Sequence, residues 1–280
     1  MRLLIYGGTF NPPHLGHADA LLCAAAALAA DRTLVVPAGI PPHKALAEGS
    51  PSAEERLRLC ELAFAEADVT PMELQREGKS YTVDTLREIS RENPRAELYF
   101  LVGTDMLLYM EQWHEFRDFF SLCTLAALPR ADGDMTEIER YAAHLRKAYG
   151  ARIEIIPKTP LPMDSTSLRA ALPQRGGADK LCDAVYSEII RRRLYGAKPD
   201  LAWLRGKTAA CLKPTRIPHV RGCEETAVRL AVRWGEDPEA AAEAGILHDI
   251  TKRLPDDEQL RMVQKYGIVL NDADIAAPKT

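Results

Sequence analysis

The 280-residue sequence has no Cys-x-x-Cys pair, no strong excess of one charge, no internal repeat and no apolar run long enough to cross a bilayer. Each absence removes a class of protein. Six cysteines (Cys23, Cys60, Cys123, Cys182, Cys211 and Cys223) are scattered without a pairing pattern, and no secretory leader precedes them. That argues against a disulfide framework and for reduced thiols in a cytoplasmic protein. A net charge of -4 speaks against a general nucleic-acid binder, although local basic clusters can still hold small phosphorylated ligands. The most apolar run, Ala20 to Ala30, follows Asp19 closely and reads as a buried helix, not as a membrane segment. Beyond that alanine run there is no low-complexity segment.

What is present is an alternating chain. A hydrophobic content of 46% is enough to bury a sizeable core, and the length suits one large domain plus a smaller one. Arg2 to Tyr6, Thr33 to Val36, Glu97 to Val102, Thr124 to Leu128 and Arg152 to Ile156 read as strands. Helical spacing falls between and after them: the alanine-rich run, Glu54 to Ala67, Thr82 to Ser90, Met135 to Tyr149, Ser165 to Leu172 and Leu181 to Tyr195. Strands separated by helices imply an α/β domain with a mostly parallel sheet covered on both faces and ligands at the carboxyl ends of the strands. Residues 1–196 form that domain. Gly196, Pro199, Gly206, Pro214 and Pro218 punctuate Gly196 to Pro218, and 197–218 reads as a linker or boundary. Residues 219–280 carry no clear strand signal, and Glu224 to Trp234, Glu239 to Leu247 and Asp256 to Tyr266 predict a small all-α module.

The chemistry concentrates in Gly7 to His17, GGTFNPPHLGH. A strand delivers Gly7 and Gly8, where backbone can approach a phosphate closely, and the chain then passes Thr9, Phe10, Asn11 and two prolines to His14 and His17. At the start of a helix, the i, i+3 spacing places both imidazoles on one side, where free N–H groups already favour an anion. The dipole disfavours imidazolium there, so both rings are expected to be neutral hydrogen-bond donors to phosphate oxygens. A second segment, Met163 to Arg169 (MDSTSLR), predicts a helix capped by Ser165 or Thr166, with Arg169 one turn on as a cationic phosphate contact.

His14-Leu15-Gly16-His17 resembles the signature of the HxGH nucleotidyltransferases, and Met163 to Arg169 resembles their Ile-Ser-Ser-Thr-x-Ile-Arg segment, with Asp164 in place of the usual Ser. Within that group residues 1–196 are similar to the bacterial nicotinate mononucleotide adenylyltransferase family. Gly7 to His17, Ile40 to Lys44 (IPPHK), Ser80 to Leu86 (SYTVDTL) and Val102 to Trp113 (VGTDMLLYMEQW) carry the likeness. The resemblance implies a Rossmann-like domain that transfers AMP from ATP to nicotinate mononucleotide. It implies that Mg²⁺ arrives with the nucleotide, since no carboxylate cage for it is visible. It assigns His14, His17, Lys44 and Arg169 to the reacting phosphates. Gly7, Gly8, Thr9, Phe10, Gly103, Asp105, Ser165 and Thr166 fall to ATP, with Asp105 on the ribose hydroxyls. Thr82, Tyr109 and Trp113 fall to the nicotinate. A related HxGH enzyme acting on phosphopantetheine or a choline-like phosphate is the neighbouring alternative.

In the C-terminal module, His219 and the later AGILHDITK context resemble the HD-domain metallophosphohydrolases, specifically a bacterial family that hydrolyses dinucleoside polyphosphates. That resemblance implies a divalent transition metal on His219, His248 and Asp249. His219 and Arg221 are read as preceding a helix. No histidine follows His248, so the module is expected to lack ligands that such a domain draws from later helices, and to expose apolar surface. A non-catalytic, partner-binding or dimerising appendage is the remaining reading, and a homo-oligomer stays open.

Overall fold

The computed structural model describes residues 1–40, 46–76, 78–131 and 133–269. The chain divides into two compact units, Met1–Lys198 and Pro199–Thr280. In the first, the elements run β1 (Arg2–Gly8), α1 (Leu15–Leu28), β2 (Arg32–Pro37), α2 (Ala53–Ala63), β3 (Asp68–Val69), α3 (Thr82–Glu92), β4 (Glu97–Gly103) and α4 (Thr104–Leu108). They continue as α5 (Phe116–Leu122), β5 (Thr124–Leu128), α6 (Asp134–Tyr149), β6 (Ile153–Ile155), α7 (Ser165–Ala171) and α8 (Asp183–Arg192). Every predicted strand and helix of this unit forms. The sequence reading passed over β3, α4 and α5, which are two, five and seven residues long and too short to display a period.

All strand pairs are parallel, in the order β3-β2-β1-β4-β5-β6. The chain builds outward from β1 in one direction, then returns to add β4 on β1's other side, so the connections diverge from the β1–β4 seam. That seam is where an open α/β sheet leaves a crevice at the strands' carboxyl ends. The β1–β4 register ends at Ile5–Phe100, three residues short of Gly8 and Gly103, whereas β1 stays paired with β2 as far as Gly8–Pro37.

Both faces of the sheet are apolar, as a parallel sheet between two helical layers requires. Leu3, Ile5, Phe100, Val102, Leu125 and Ala127 point to one side with α3, α5 and α6, where Leu86, Phe119, Ala142 and Leu145 are buried. The alternate residues Leu4, Leu101, Ala126 and Leu128 point to the other, where Ala20, Leu21 and Ala24 of α1 pack with Cys60 and Phe64. Small alanines let one face of α1 lie close to the strands, burying Ala20, Leu21, Cys23, Ala24 and Leu28, while Leu22, Ala26, Ala27 and Ala29 are exposed, so the run expected to be buried is so on one face only. Among the described residues no helix is long and apolar enough to cross a membrane.

The second unit is helical: α9 (Leu201–Cys211), α10 (Ile217–Trp234), α11 (Pro238–Leu247) and α12 (Asp256–Tyr266). The segment expected to be a linker, 197–218, is mostly α9 and a short 3-10 turn at Pro214–Arg216. Asp200 caps α9 by accepting from Trp203 N–H at 2.7 Å, and Arg205 of α9 makes a forked pair with Glu224 of α10 at 2.6–3.1 Å. Glycine and proline in 197–218 fall at the ends or on exposed faces of these helices, so they mark boundaries without unravelling the chain. Helix α10 also begins earlier than expected, which places His219 and Arg221 inside it.

Helices α10 and α11 meet at Gly245, where an added Cβ would lie 2.6 Å from Cα of Glu224. Gly245→Ala is therefore expected to destabilise the C-terminal unit by about 1–3 kcal/mol, as overpacking does. Urea unfolding followed by Trp203 and Trp234 fluorescence measures it, and an unchanged midpoint would contradict the close approach.

Candidate active site and C-terminal cluster

At the end of β1 the chain folds its own aromatic ring beneath the glycines. Phe10 adopts φ 45, a left-handed conformation that costs a non-glycine residue roughly 1–2 kcal/mol. Its ring is buried edge-on against Tyr6, Phe64 and His17, with centroids 5.2 Å apart in each case. A Cβ on Gly8 would strike that ring at 2.9 Å. Phe10 thus offers a ligand its backbone, while its side chain supports the turn from below.

His14 is the N-cap of α1 and His17 is its third residue. The two close a reciprocal box: His17 N–H donates to Nδ1 of His14 at 3.3 Å, and His14 N–H donates to Nδ1 of His17 at 3.2 Å. With both Nδ1 atoms accepting, the neutral rings carry their protons on Nε2. The rings are stacked, centroids 3.6 Å apart at 26°. Burial holds His14 down to about 4, with the Arg130 charge adding to the effect and the Asp164 carboxylate opposing it. His17 is held well below its ordinary value by burial, then by His14 and by Arg130. Both rings are neutral at pH 7. The rings are neutral as expected, but desolvation, not the helix dipole, is the leading cause.

Three side chains anchor this turn from below. Arg56 of α2 is 1% exposed and donates to the carbonyls of Thr9, Ala38 and Gly39 at 3.2, 2.7 and 3.3 Å, tying the ends of β1 and β2 together. Asn11 donates to Ser50 Oγ at 2.7 Å and accepts from Tyr195 OH at 2.8 Å. Arg169 donates to the Asn11 carbonyl at 2.6 Å and to Thr166 Oγ1 at 3.2 Å.

The second motif is consequently coupled to the first. Ser165 Oγ donates to the Pro12 carbonyl at 3.0 Å, and a Cβ on Gly16 would lie 2.7 Å from the Leu161 carbonyl oxygen, so His-x-Gly-His can carry only glycine there. Asp164, not Ser165 or Thr166, caps α7, accepting from Ser167 N–H at 2.8 Å. Asp164 thus satisfies the helix terminus and leaves Ser165 to hold the Pro12 loop. Its carboxyl sits below the ordinary range, chiefly through the bonds from Ser167.

Across the seam, Gly103 ends β4 and Thr104–Asp105 open α4. Asp105 Oδ1 lies 3.1 Å from Nε of Arg130. The Arg130 backbone is pinned by Asp134 and Thr104, at 2.9 and 3.2 Å from its N–H. Sequence reasoning missed Arg130, whose signal was a cation just beyond Leu128 at the carboxyl end of a strand beside the seam. Arg56 left no such signal, since on an amphipathic helix it reads as a solvated residue.

Thr82 is the first residue of α3, whose N-cap, Tyr81, makes no side-chain bond to the helix. The Tyr81 and His114 rings lie 4.3 Å apart, which brings Thr82 and Trp113 into one neighbourhood. Trp113 is half-buried, edge-on to Phe100 and Phe119 at 6.3 and 5.5 Å, and follows a 3-10 turn in extended backbone. Tyr109 is exposed at the end of α4. Lys44, within the IPPHK segment, lies outside the described residues.

The C-terminal unit assembles a separate cluster. His219 Nε2 is 3.2 Å from His248 Nε2, and Asp249 Oδ2 is 3.6 and 3.4 Å from these two atoms. The three expected residues therefore meet, with two more that sequence reasoning left out. Cys223 Sγ lies 3.6 Å from His219 Nε2, and Arg216 is ion-paired with Asp249. Burial pushes the Asp249 carboxyl up, but the bond from Arg216 and the neighbouring His248, Arg216 and Lys252 outweigh it and leave it below its ordinary value.

A cytidylyltransferase-like family model matches residues 5–171, and an HD domain model matches 216–279. A probable nicotinate-nucleotide adenylyltransferase from Synechococcus sp. (strain JA-2-3B'a(2-13)) is 36% identical over 206 residues, covering 69% of this chain and 96% of that protein. One of the same name from Geobacter sp. (strain M21) is 40% identical, over 70% and 98%. Among solved structures, the Plasmodium falciparum nicotinic acid mononucleotide adenylyltransferase complexed with APC shares the fold, with a TM-score of 0.56 at 16% identity over 70% of this chain and 98% of that one.

Because both histidines are buried as neutral rings, a side-chain ¹⁵N NMR titration is expected to show Nε2–H tautomers through the neutral range, with His14 half-protonated only near pH about 4. The unfolded chain takes up these protons near its ordinary 6.5. The contribution to stability is therefore present above that value and declines as pH falls from 6.5 towards the folded-state values. Midpoints near 6.5 for both rings in the folded protein would refute the burial argument.

Proposed function

This chain belongs to the nicotinate-nucleotide adenylyltransferase family, within the cytidylyltransferase-like proteins, and from that premise we propose that the stacked, neutral His14–His17 pair at the β1–α1 turn carries its reaction. The reaction transfers AMP from ATP to nicotinate mononucleotide and releases pyrophosphate, giving nicotinate adenine dinucleotide in NAD biosynthesis. A phosphate oxygen of the mononucleotide, already an anion, bonds to the α-phosphorus of ATP. The bond from that phosphorus to the bridging oxygen of the β-phosphate breaks, and pyrophosphate leaves with the electron pair. No general base or covalent intermediate is needed.

Alignment and charge stabilisation are what remain for the protein. Nε2–H of His14 and of His17 donate to phosphoryl oxygens as charge moves to the leaving group. Being neutral, the rings stabilise that charge without surrendering a proton. Gly7, Gly8, Thr9 and Phe10 supply close backbone, held rigid by Arg56. Arg169 holds the Asn11 carbonyl through one of its five N–H donors and Thr166 Oγ1 through another, and its charge neutralises the polyphosphate, a role the resemblance also gives Lys44. Asp105 accepts from the ribose hydroxyls, exchanging its partner Arg130 for them, beside Gly103. Ser165 and Thr166 border the triphosphate. The carboxylates nearest this site, Asp105 and Asp164, are engaged by Arg130 and by the α7 terminus. Neither is arranged with another carboxylate as a cation cage, which suits Mg²⁺ entering on the ATP as part of the substrate.

The acceptor lies on the other side of the seam. The uncapped first turn of α3, with the Thr82 hydroxyl, suits the nicotinate carboxylate. Trp113 stacks on the pyridine ring with Tyr109 at its margin. In the C-terminal unit, His219, His248 and Asp249 would hold a divalent transition metal: two imidazoles and a carboxylate within 3.2–3.6 Å of one another form a donor set suited to such a cation. Six free cysteines fit a reducing cytoplasmic setting.

The decisive measurement is pyrophosphate release with ATP and different acceptors. Release is expected with nicotinate mononucleotide and not with phosphopantetheine, and the opposite result would overturn the reading. His17→Ala is expected to lower kcat about 10²- to 10³-fold with little change in KM, as removal of a preorganised donor to developing charge does. Trp113→Ala is expected to raise the KM for the acceptor roughly 2- to 10-fold, in line with about 0.5–1.5 kcal/mol for an aromatic stack. Steady-state constants near wild type for both variants would displace the site from these residues.

A further inference from the structure

Trp113, to which the acceptor ring is assigned, is carried by a short and irregular stretch of chain. Between β4 and α5 the backbone makes the five-residue α4, a 3-10 turn over Met110–Gln112 and then extended Trp113, with Glu115 in the left-handed region at φ 50. Segments this short do not hold their own shape in water, so the indole has to be set by side chains reaching in from longer elements.

We propose that Glu111 is a positioning residue for the acceptor: its carboxylate, held by Tyr141, His144 and Tyr149 of α6, fixes the turn that carries Trp113 and so sets the affinity for the nicotinate-bearing mononucleotide. This role rests on the reading that seats the pyridine ring against Trp113.

Tyr141 OH donates to Glu111 Oε2 at 2.6 Å, Tyr149 OH donates to Oε1 at 2.5 Å, and His144 Nε2 lies 3.3 Å from Oε1. An ionised carboxylate only accepts, so His144 contributes an N–H there. These bonds, Tyr141's first, then those of Tyr149 and His144, lower the Glu111 carboxyl to about 2 and keep it charged at any working pH. Three donors from one 16-residue helix thus converge on one residue of a three-residue turn. Trp113 N–H donates to the Met110 carbonyl at 3.0 Å, within the same turn, so a shift of the turn is passed to the indole.

The stretch is also held at its other end, where Arg87 of α3 donates to Glu115 at 2.6 Å. That guanidinium is shared with Asp84 and Asp118 and is open to solvent, where ion pairs hold weakly. The Glu111 bonds are charge-assisted, and the rings of Tyr141 and Tyr149 pack on the same apolar core as Trp113. Tyr149 further stacks on Phe120 of α5, centroids 5.9 Å apart, while Phe119 of that helix lies edge-on to Trp113. The carboxylate therefore reaches the indole along two routes, through the turn and through α5. Helix α6 serves the nucleotide side with a different residue, Asp134 at its start, which accepts from Thr104 Oγ1 and from Arg130 N–H. Loss of Glu111 is accordingly a loss on the acceptor side.

Steady-state kinetics on the full-length chain, with ATP and nicotinate mononucleotide varied in turn, compare Glu111→Ala, Glu111→Gln, Trp113→Ala and the Glu111→Ala/Trp113→Ala pair. Glu111→Ala is expected to raise the KM for the mononucleotide roughly 2- to 10-fold, the range for loss of the stack, with kcat and the KM for ATP within about 2-fold of wild type. Glu111→Gln, whose amide oxygen still accepts from a tyrosine, recovers most of that affinity. Because Glu111 acts through Trp113, the double variant is no worse than Trp113→Ala alone. Tyr141→Phe combined with Tyr149→Phe removes two donors but keeps both rings, and it shifts the same KM in the same direction even where Glu111→Ala fails to fold. An effect of Trp113→Ala without one of Glu111→Ala, equal rises for both substrates, or additive losses in the double variant overturn the positioning role and leave the acceptor site standing. An unchanged acceptor KM in Trp113→Ala overturns the acceptor site itself, and the role of Glu111 with it.

Discussion

Each imidazole of the His14–His17 pair accepts the other's backbone N–H through Nδ1, and the rest of the N-terminal site depends on that exchange. It satisfies two N–H groups at the start of α1, which would otherwise need a Ser, Thr or Asp cap. The same two bonds fix the tautomer and thereby commit both Nε2–H groups to donation. Stacking at 3.6 Å means that neither ring can accept a charge without opposing the other, and burial excludes the charge more strongly still. A pair of rings that stays neutral at pH 7 suits a reaction in which no proton has to move.

This arrangement survives only because the loop before it is held from several sides. Carbonyls of Thr9, Asn11 and Pro12, which a tight turn leaves without strand partners, are taken by Arg56, Arg169 and Ser165. Two of those donors are guanidiniums, and the buried one, Arg56, has no carboxylate among its bonds. Its Nε has no hydrogen-bond partner either. A buried cation satisfied mainly by carbonyls is costly. That cost is borne at a turn whose carbonyls, left without strand partners, the guanidinium satisfies.

The two units solve related problems with different means. In the first, parallel strands bring Gly8 and Gly103 to one edge, beside a helix terminus capped by two neutral imidazoles. In the second, no sheet exists among the described residues, and two helices in close contact at Gly245 place histidines from separate elements within 3.2 Å.

Much of this was legible in the chain itself. Strand and helix order, the α/β class and the His14–His17 spacing follow from local periodicity and short-range motifs, which report on one element at a time, whereas the meeting of His219 with His248 and Asp249 was implied only by the HD-domain resemblance. Periodicity could not show that 197–218 is helical, because glycine and proline punctuate helix ends as readily as linkers. Nor could it show that Asp164 takes over a capping role, that Arg56 is buried, or that Arg130 stands beside Asp105 and the histidines. Each of these depends on which distant segment arrives at a given side chain, as Leu161 does at Gly16 and Gly245 does at Glu224. The sequence by itself determined which groups are available for phosphate chemistry and in what order they occur. Only the tertiary structure decided which are neutral and which are already bonded to a neighbour, because burial and long-range contacts, not residue type, set a group's charge and its free hydrogen-bonding capacity.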